Sequence, residues 1–360
     1  MKIKDIFTID LSDDIKTVID LEDVSETEIQ SEIENYIITE GLAKEYADFA
    51  ATFTSNIRET GVWISGFYGS GKSYFGKLLG YLLSNRSIGG TPARERILQR
   101  FTGIKDEALT KNSLARLNTE NCRVVFLDVS KQDASKGLAY MFFRNFLKSL
   151  GLPENEHGFF LYQLMINTKQ SNIHDFIKLN LGENWIDIKT RLVAYAKATK
   201  TIYLQQGNNA SDYDHLMTTI LRDIDQFSAS RLKEELSNYL QFNQGEKLIF
   251  FFDEASEGIN QQKFSLLDLE GISEALSALG GKVWSIAIAQ EKLDEVIKNS
   301  NTNRAQLTRV TARFKTKIHL EATEVDAIIR NSLLKKKDDA IIKLKENYSK
   351  NLVRLPTTLP

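Results

Sequence analysis

The chain has 360 residues, enough for one large core or two domains. Hydrophobic residues make up 42% and charged residues 26%, the balance of an ordinary soluble globular protein. A formal net charge of −2, a single cysteine and four scattered histidines exclude a global field toward nucleic acid or membrane, an intrachain disulfide, and a zinc site of ordinary ligand spacing.

Residues 1–5 run into Asp10, Asp13 and Asp14, with no apolar stretch of the kind a signal peptide needs. No run of about 18 apolar residues occurs, so no membrane span is expected. With the lone Cys122, this points to a reducing, cytoplasmic setting. Four prolines in the whole chain predict a helix-rich fold. Residues 15–22 read as a short strand, and 26–36 and 40–58 as helices. The first helix carries a Ser25…Glu28 capping-box pattern.

Residues 61–66 read as a buried strand, short, apolar and bounded by glycine. Immediately after it comes GFYGSGKS, residues 66–73, which fits G-x-x-x-x-G-K-[ST] without a mismatch. Gly66, Phe67, Tyr68, Gly69, Ser70 and Gly71 form a loop whose glycines permit positive φ and close approach of backbone N–H groups to an anion. A helix predicted over 71–84 aims its positive end, including Ser73 and Tyr74, at the same place. Lys72 reaches the outer phosphates of a nucleoside triphosphate in this pattern, and Ser73 meets Mg²⁺. A chance glycine turn is the alternative. The strand before the motif and the helix after it argue for a phosphate cradle.

Helical pattern dominates 91–118. A strand is predicted at 123–129 and an apolar helix at 134–150. Residues 153–244 show helical periodicity without a convincing strand, too long a stretch for a simple crossover, and read as a helical insertion. Strand signal returns at 247–252 and ends in Asp253 and Glu254. Behind a P-loop, Asp253 is the expected metal-side carboxylate, and Glu254 the expected general base for water. The next strand, 283–289, ends in Gln290, which is placed to sense the γ-phosphate or the attacking water, or else merely caps a helix. Arg304, Arg309 and Arg313 precede the last strand, 315–320. Arg313 and Arg309 are the stronger candidates for an arginine supplied to a neighbour's γ-phosphate, against a solvated basic face. Helices at 323–337 and 339–349 close the reading. Strands alternating with helices give an α/β class with a parallel central sheet. The Phe250-Phe251-Phe252 run suits a strand covered on both faces.

The segment GVWISGFYGSGKSYF (61–75) resembles the start of the large P-loop ATPase of BREX (bacteriophage exclusion) defence systems, the BrxC/PglY family. IKDIF (3–7), YIIT (36–39), FDE (252–254), AQEKLDE (289–295), Arg313-Phe314 and HLE (319–321) are similar in the same order, so the resemblance covers nearly the whole chain. It implies an AAA+-like P-loop NTPase fold, ATP with Mg²⁺ as the bound species, and work in phage exclusion beside components such as a DNA methyltransferase. Members of that family are far longer, so this chain is expected to be an N-terminal portion. It divides into a leading segment (1–60), an ATPase core (61–321) and the start of a helical lid (322–360).

Three functions are consistent with these residues. One is an ATPase that drives assembly or remodelling of a defence complex, with hydrolysis between subunits of a homo-oligomer. Another is a nucleotide-gated scaffold that barely hydrolyses, with 153–244 as its docking surface. The third is a DNA motor, against which near-neutral charge and the lack of a basic-aromatic stripe count, leaving DNA contact indirect.

Overall fold

The computed structural model describes residues 6–7, 22, 25–55, 57–299, 304–321, 334 and 336–351, with side chains left out at 299, 304–307 and 350–351. Seven strands are found among them: β1 (Gly61–Gly66), β2 (Ser87–Ile88), β3 (Thr91–Pro92), β4 (Asn121–Asp128), β5 (Glu246–Asp253), β6 (Val283–Ala289) and β7 (Thr316–Leu320). Five of them form one sheet in the order β4-β5-β6-β1-β7. Every neighbouring pair in it is parallel. This is the α/β P-loop NTPase fold expected from the sequence, with β6 standing between the P-loop strand and the strand that ends in Asp253.

The sheet is buried on both faces, and strand periodicity sorts its side chains between two cores. Trp63, Leu248, Phe250, Phe252, Val283 and Ala287 point into one core, with the helices Gly137–Ser149 and Leu266–Ser277. Val62, Ile64, Ile249, Phe251, Trp284, Ile286 and Ile288 point into the other, with the helices Glu40–Phe53 and Lys72–Ser84. Each fully buried phenylalanine of β5 contributes about 1.5–3 kcal/mol of transfer free energy. A one-residue slip of register would exchange the two side-chain sets, so the register is strongly specified. Trp63 and Trp284 are core residues, and burial pushes the Cys122 thiol up to about 12, an inert group.

Some boundaries differ from expectation. The second helix stops at Phe53 rather than 58. The stretch 91–118 is not one helix. The β2–β3 hairpin, the helices Ala93–Gln99 and Glu107–Ala115, and a 3₁₀ turn at Arg116–Thr119 divide it. Gly103 breaks it in the left-handed region with φ 89°. Ser25 caps the first helix, Glu26–Asn35, but its side chain does not close the expected capping box. The strand expected at 15–22 and the helix expected at 323–337 fall largely outside the described residues. Between β4 and β5, residues 153–244 hold six helices and no strand. No described helix is long and apolar enough to cross a membrane.

The P-loop helix Lys72–Ser84 lies unusually close to the sheet. A Cβ on Gly80 would sit 2.4 Å from the Phe126 ring, and one on Gly76 would sit 2.4 Å from Ile288 Cδ1. On its other side this helix is anchored by a buried ion pair. Lys77 Nζ lies 2.6 Å from Glu32 Oε1, with the side chains 0% and 3% exposed, and the Tyr81 hydroxyl donates to Glu32 Oε2 at 2.9 Å. Breaking such a pair strands a charge, whereas removing both partners does not. Lys77→Met is therefore expected to lower the unfolding free energy by about 3–5 kcal/mol, and the double change Lys77→Met with Glu32→Leu to restore most of it. Urea unfolding of the two variants checks this.

Candidate nucleotide-binding site

The P-loop leaves β1 at Gly66 and turns through Gly69 and Gly71, with φ of 81° and 80°. Gly66 has no room for a side chain, since a Cβ there would lie 2.5 Å from Ser70 Oγ and 2.7 Å from the Leu320 carbonyl. The helix that follows has Gly71 at its N-cap and no side-chain cap, so its first-turn N–H groups face the loop's concavity. Ser70 Oγ is buried without a hydrogen-bond partner, a polar atom that a phosphate oxygen would satisfy. Lys72 is 8% exposed, and its ammonium donates to the Phe67 carbonyl at 3.1 Å. Burial lowers the Lys72 pKa, while the Glu254 and Asp253 carboxylates oppose that shift. Phe67 and Tyr68 stand on the outer rim, 46% and 79% exposed. Tyr74 rests its ring on Tyr36 and turns its hydroxyl to the Glu32 carbonyl, so what it offers an anion is its backbone N–H.

Across the loop, Asp253 ends β5. It is 6% exposed and accepts the Glu254 N–H at 2.8 Å. Burial pushes its pKa up to about 6, and the Glu254 and Asp128 carboxylates push the same way, against the Ser73 and Glu254 hydrogen bonds. Glu254 itself adopts a left-handed backbone, φ 57° and ψ 36°, at the N-cap of the helix Ala255–Asn260. That conformation costs a non-glycine residue about 1–3 kcal/mol and is characteristic of functional positions. Gln290, at the end of β6, donates its side-chain amide to Glu254 Oε2 at 3.2 Å, and its N–H to Ser256 Oγ at 3.2 Å. The expected Walker pair, the P-loop lysine and Gln290 therefore converge on one edge of the sheet.

The residues suit a Mg²⁺–nucleoside triphosphate. Ser73 and Asp253 would hold the metal side, and the P-loop backbone with Lys72 the phosphates. No group of three or more His, Cys, Asp or Glu that could hold a metal ion occurs among the described residues.

The arginines lie elsewhere. Arg313 precedes β7 at the opposite, N-terminal end of the strands, where its backbone oxygen packs on Gly61. Its guanidinium pairs with Glu274 at 2.9 Å and with Glu59 at 3.3 Å. Neither Arg313 nor Arg309, exposed one turn earlier, is brought to this chain's own cradle. Arg304 has no described side chain. The sequence reading missed Asp128, which ends β4 in register with Asp253 and accepts Ser130 N–H and Oγ–H at 2.9 and 2.6 Å. Its signal was an apolar strand, RVVFL, that ends in Asp as β5 does.

The fold and the cradle together define an α/β protein with a P-loop, whose cradle suits a nucleoside triphosphate. No protein-family model matches the chain. Among solved structures it is similar to the Aeropyrum pernix ORC2 protein in its ADPNP and ADP complexes, with 12% identity and a TM-score of 0.38. The match covers 85% of this chain and 56% of that one.

Because Asp253 is raised from 3.8 to about 6 in the folded chain, the folded state takes up its proton first as pH falls. The stability due to the neutral form is complete below about pH 4 and is lost as pH rises through 6. At pH 7.5 without nucleotide or metal, Asp253→Asn should therefore stabilise the protein by on the order of 1–3 kcal/mol. That gain should shrink as pH is lowered through 6. Urea midpoints across pH test it.

Proposed function

We propose that the chain binds and hydrolyses ATP as an AAA+-like component of a bacterial anti-phage system of the BREX type, driving assembly or remodelling of a defence complex. The observation that carries the hydrolytic half is the Gln290–Glu254 hydrogen bond beside the buried Asp253, whose charge the P-loop lysine feels. The defence half rests on the ordered similarity to the BrxC/PglY family, from residues 3–7 to 319–321. Methyltransferase and other BREX components are the partners this reading expects, with DNA contact indirect.

Each group has a task in it. The P-loop amides and Lys72 hold the phosphates. Mg²⁺, when bound, screens their charge, with Ser73 and Asp253 on its protein side. Glu254 accepts a proton from the attacking water. Gln290, one hydrogen bond away, orients that carboxylate and exchanges it for a phosphate oxygen when the triphosphate arrives. Among the described residues neither Arg309 nor Arg313 reaches this edge, and in this reading a positive charge for the transition state comes from a second copy. Arg309 is the more accessible donor, because Arg313 is committed to two glutamates.

ATP turnover per chain is expected to rise with protein concentration. Glu254→Gln should cut it at least about 100-fold with MgATP affinity within about threefold. Flat, negligible turnover with intact nucleotide binding would favour the scaffold instead. Arg309→Ala should remove the concentration-dependent part of turnover and leave binding intact. An Arg309→Ala protein that turns over like wild type excludes it as the trans donor.

A further inference from the structure

We propose that Glu22, from the N-terminal segment, is a positioning residue for the Mg²⁺ side of this site; the inference rests on the nucleotide-binding reading above. β4 is the outer strand of the sheet. Its inward bonds to β5 include Val129 N–H to the Asp253 carbonyl at 3.2 Å, so the N–H of Asp128 points the other way, along the free edge. Glu22 fills that edge. Its Oε1 accepts the Asp128 N–H at 3.0 Å and the Gln132 amide at 2.6 Å, while its Oε2 takes the Lys148 ammonium at 3.1 Å. Burial disfavours the charged carboxylate, yet these hydrogen bonds and Lys148 outweigh it and hold the Glu22 pKa below its ordinary value.

The turn that Glu22 grips is clamped from the catalytic side as well. Lys263, just beyond the helix that Glu254 opens, donates to the carbonyls of Val129 and Gln132, each at 3.3 Å, and to that of Ser130. Gln132 is in turn locked to the buried Asn145, which donates to Gln132 Oε1 at 2.7 Å. The turn after β4 therefore has little freedom, and Asp128 is held with it, in register with Asp253. This turn reaches the metal-side residue through the Val129 N–H, which donates to the Asp253 carbonyl at 3.2 Å, and loss of supporting partners around a metal-side carboxylate typically costs 10–100-fold in metal affinity or activity. Glu22 thus links the segment ahead of the core to the end of β4, beside the strand that ends in Asp253.

The test compares the 360-residue wild-type chain, Glu22→Ala and Glu22→Gln by two measurements: hydrogen exchange of the peptide that contains Asp128, and ATP affinity with and without Mg²⁺. Glutamine keeps an acceptor oxygen for the Asp128 N–H but loses the charge pairing with Lys148. In Glu22→Ala, exchange at Asp128 should speed up at least about tenfold. The gain in ATP affinity that Mg²⁺ brings should fall about 10-fold or more, with Mg²⁺-free affinity unchanged. Glu22→Gln should recover most of both. A merely structural role would lower the two affinities together, or leave the Mg²⁺ gain intact, and either result overturns the proposal. Wild-type protein that binds no nucleotide overturns the functional reading and this proposal with it. A Mg²⁺-dependent wild type matched by Glu22→Ala overturns this proposal alone.

Discussion

The site depends on the parallel register of a sheet buried on both sides. Residues paired across β4, β5, β6 and β1 end at one edge: Asp128 opposite Asp253, Phe252 opposite Ala287, and Ala289 opposite Ser65. Each strand's next residues then fall on that edge, which delivers the P-loop, Asp253, Glu254 and Gln290 to one place. The apolar runs that force this register touch none of the proposed chemistry. Phe250, Phe251 and Phe252 alternate between two cores, and that alternation forbids the slip that would move Asp253 off the edge.

The same burial sets the electrostatics. Asp253 is nearly out of water with two other carboxylates nearby, so its charged form is costly until a cation arrives. Lys72 is similarly buried, and its charge is disfavoured by burial and favoured by the acids across the loop. A site with a poorly solvated acid and a poorly solvated base suits a ligand that brings both phosphate and metal. Such a ligand relieves both at once, and metal binding is thereby coupled to stability. The left-handed Glu254 adds local backbone cost at the residue proposed to handle water.

Much of this was legible in the sequence because the signals are local. A glycine loop with Lys72 and Ser73, and apolar strands that end in acids, act through spacings of a few residues. The limits of the 91–118 region were not legible. The helical pattern continues on both sides of Gly103, where the chain takes up a left-handed conformation between the helices Ala93–Gln99 and Glu107–Ala115. Arg313 was legible as a residue type but not as a location. Its helix enters β7 from the end of the sheet opposite the P-loop, which only the topology reveals. Asp128 carried the same strand-then-acid signal as Asp253, but without a neighbouring second acid it did not stand out.

Arg313 and Glu22 mark two ways in which a core like this becomes sensitive to what surrounds it. Arg313 is held by Glu59 from the segment just ahead of β1 and by Glu274 from the helix Leu266–Ser277. A neighbouring chain that recruited it would have to compete with those carboxylates. The exchange is between partly exposed ion pairs, worth little each, so it is thermodynamically accessible. Glu22 grips an edge that no described strand covers, and its release would free a turn one strand away from the metal-side acid. Both contacts connect the chain ahead of β1 to the ends of the sheet, one at each end.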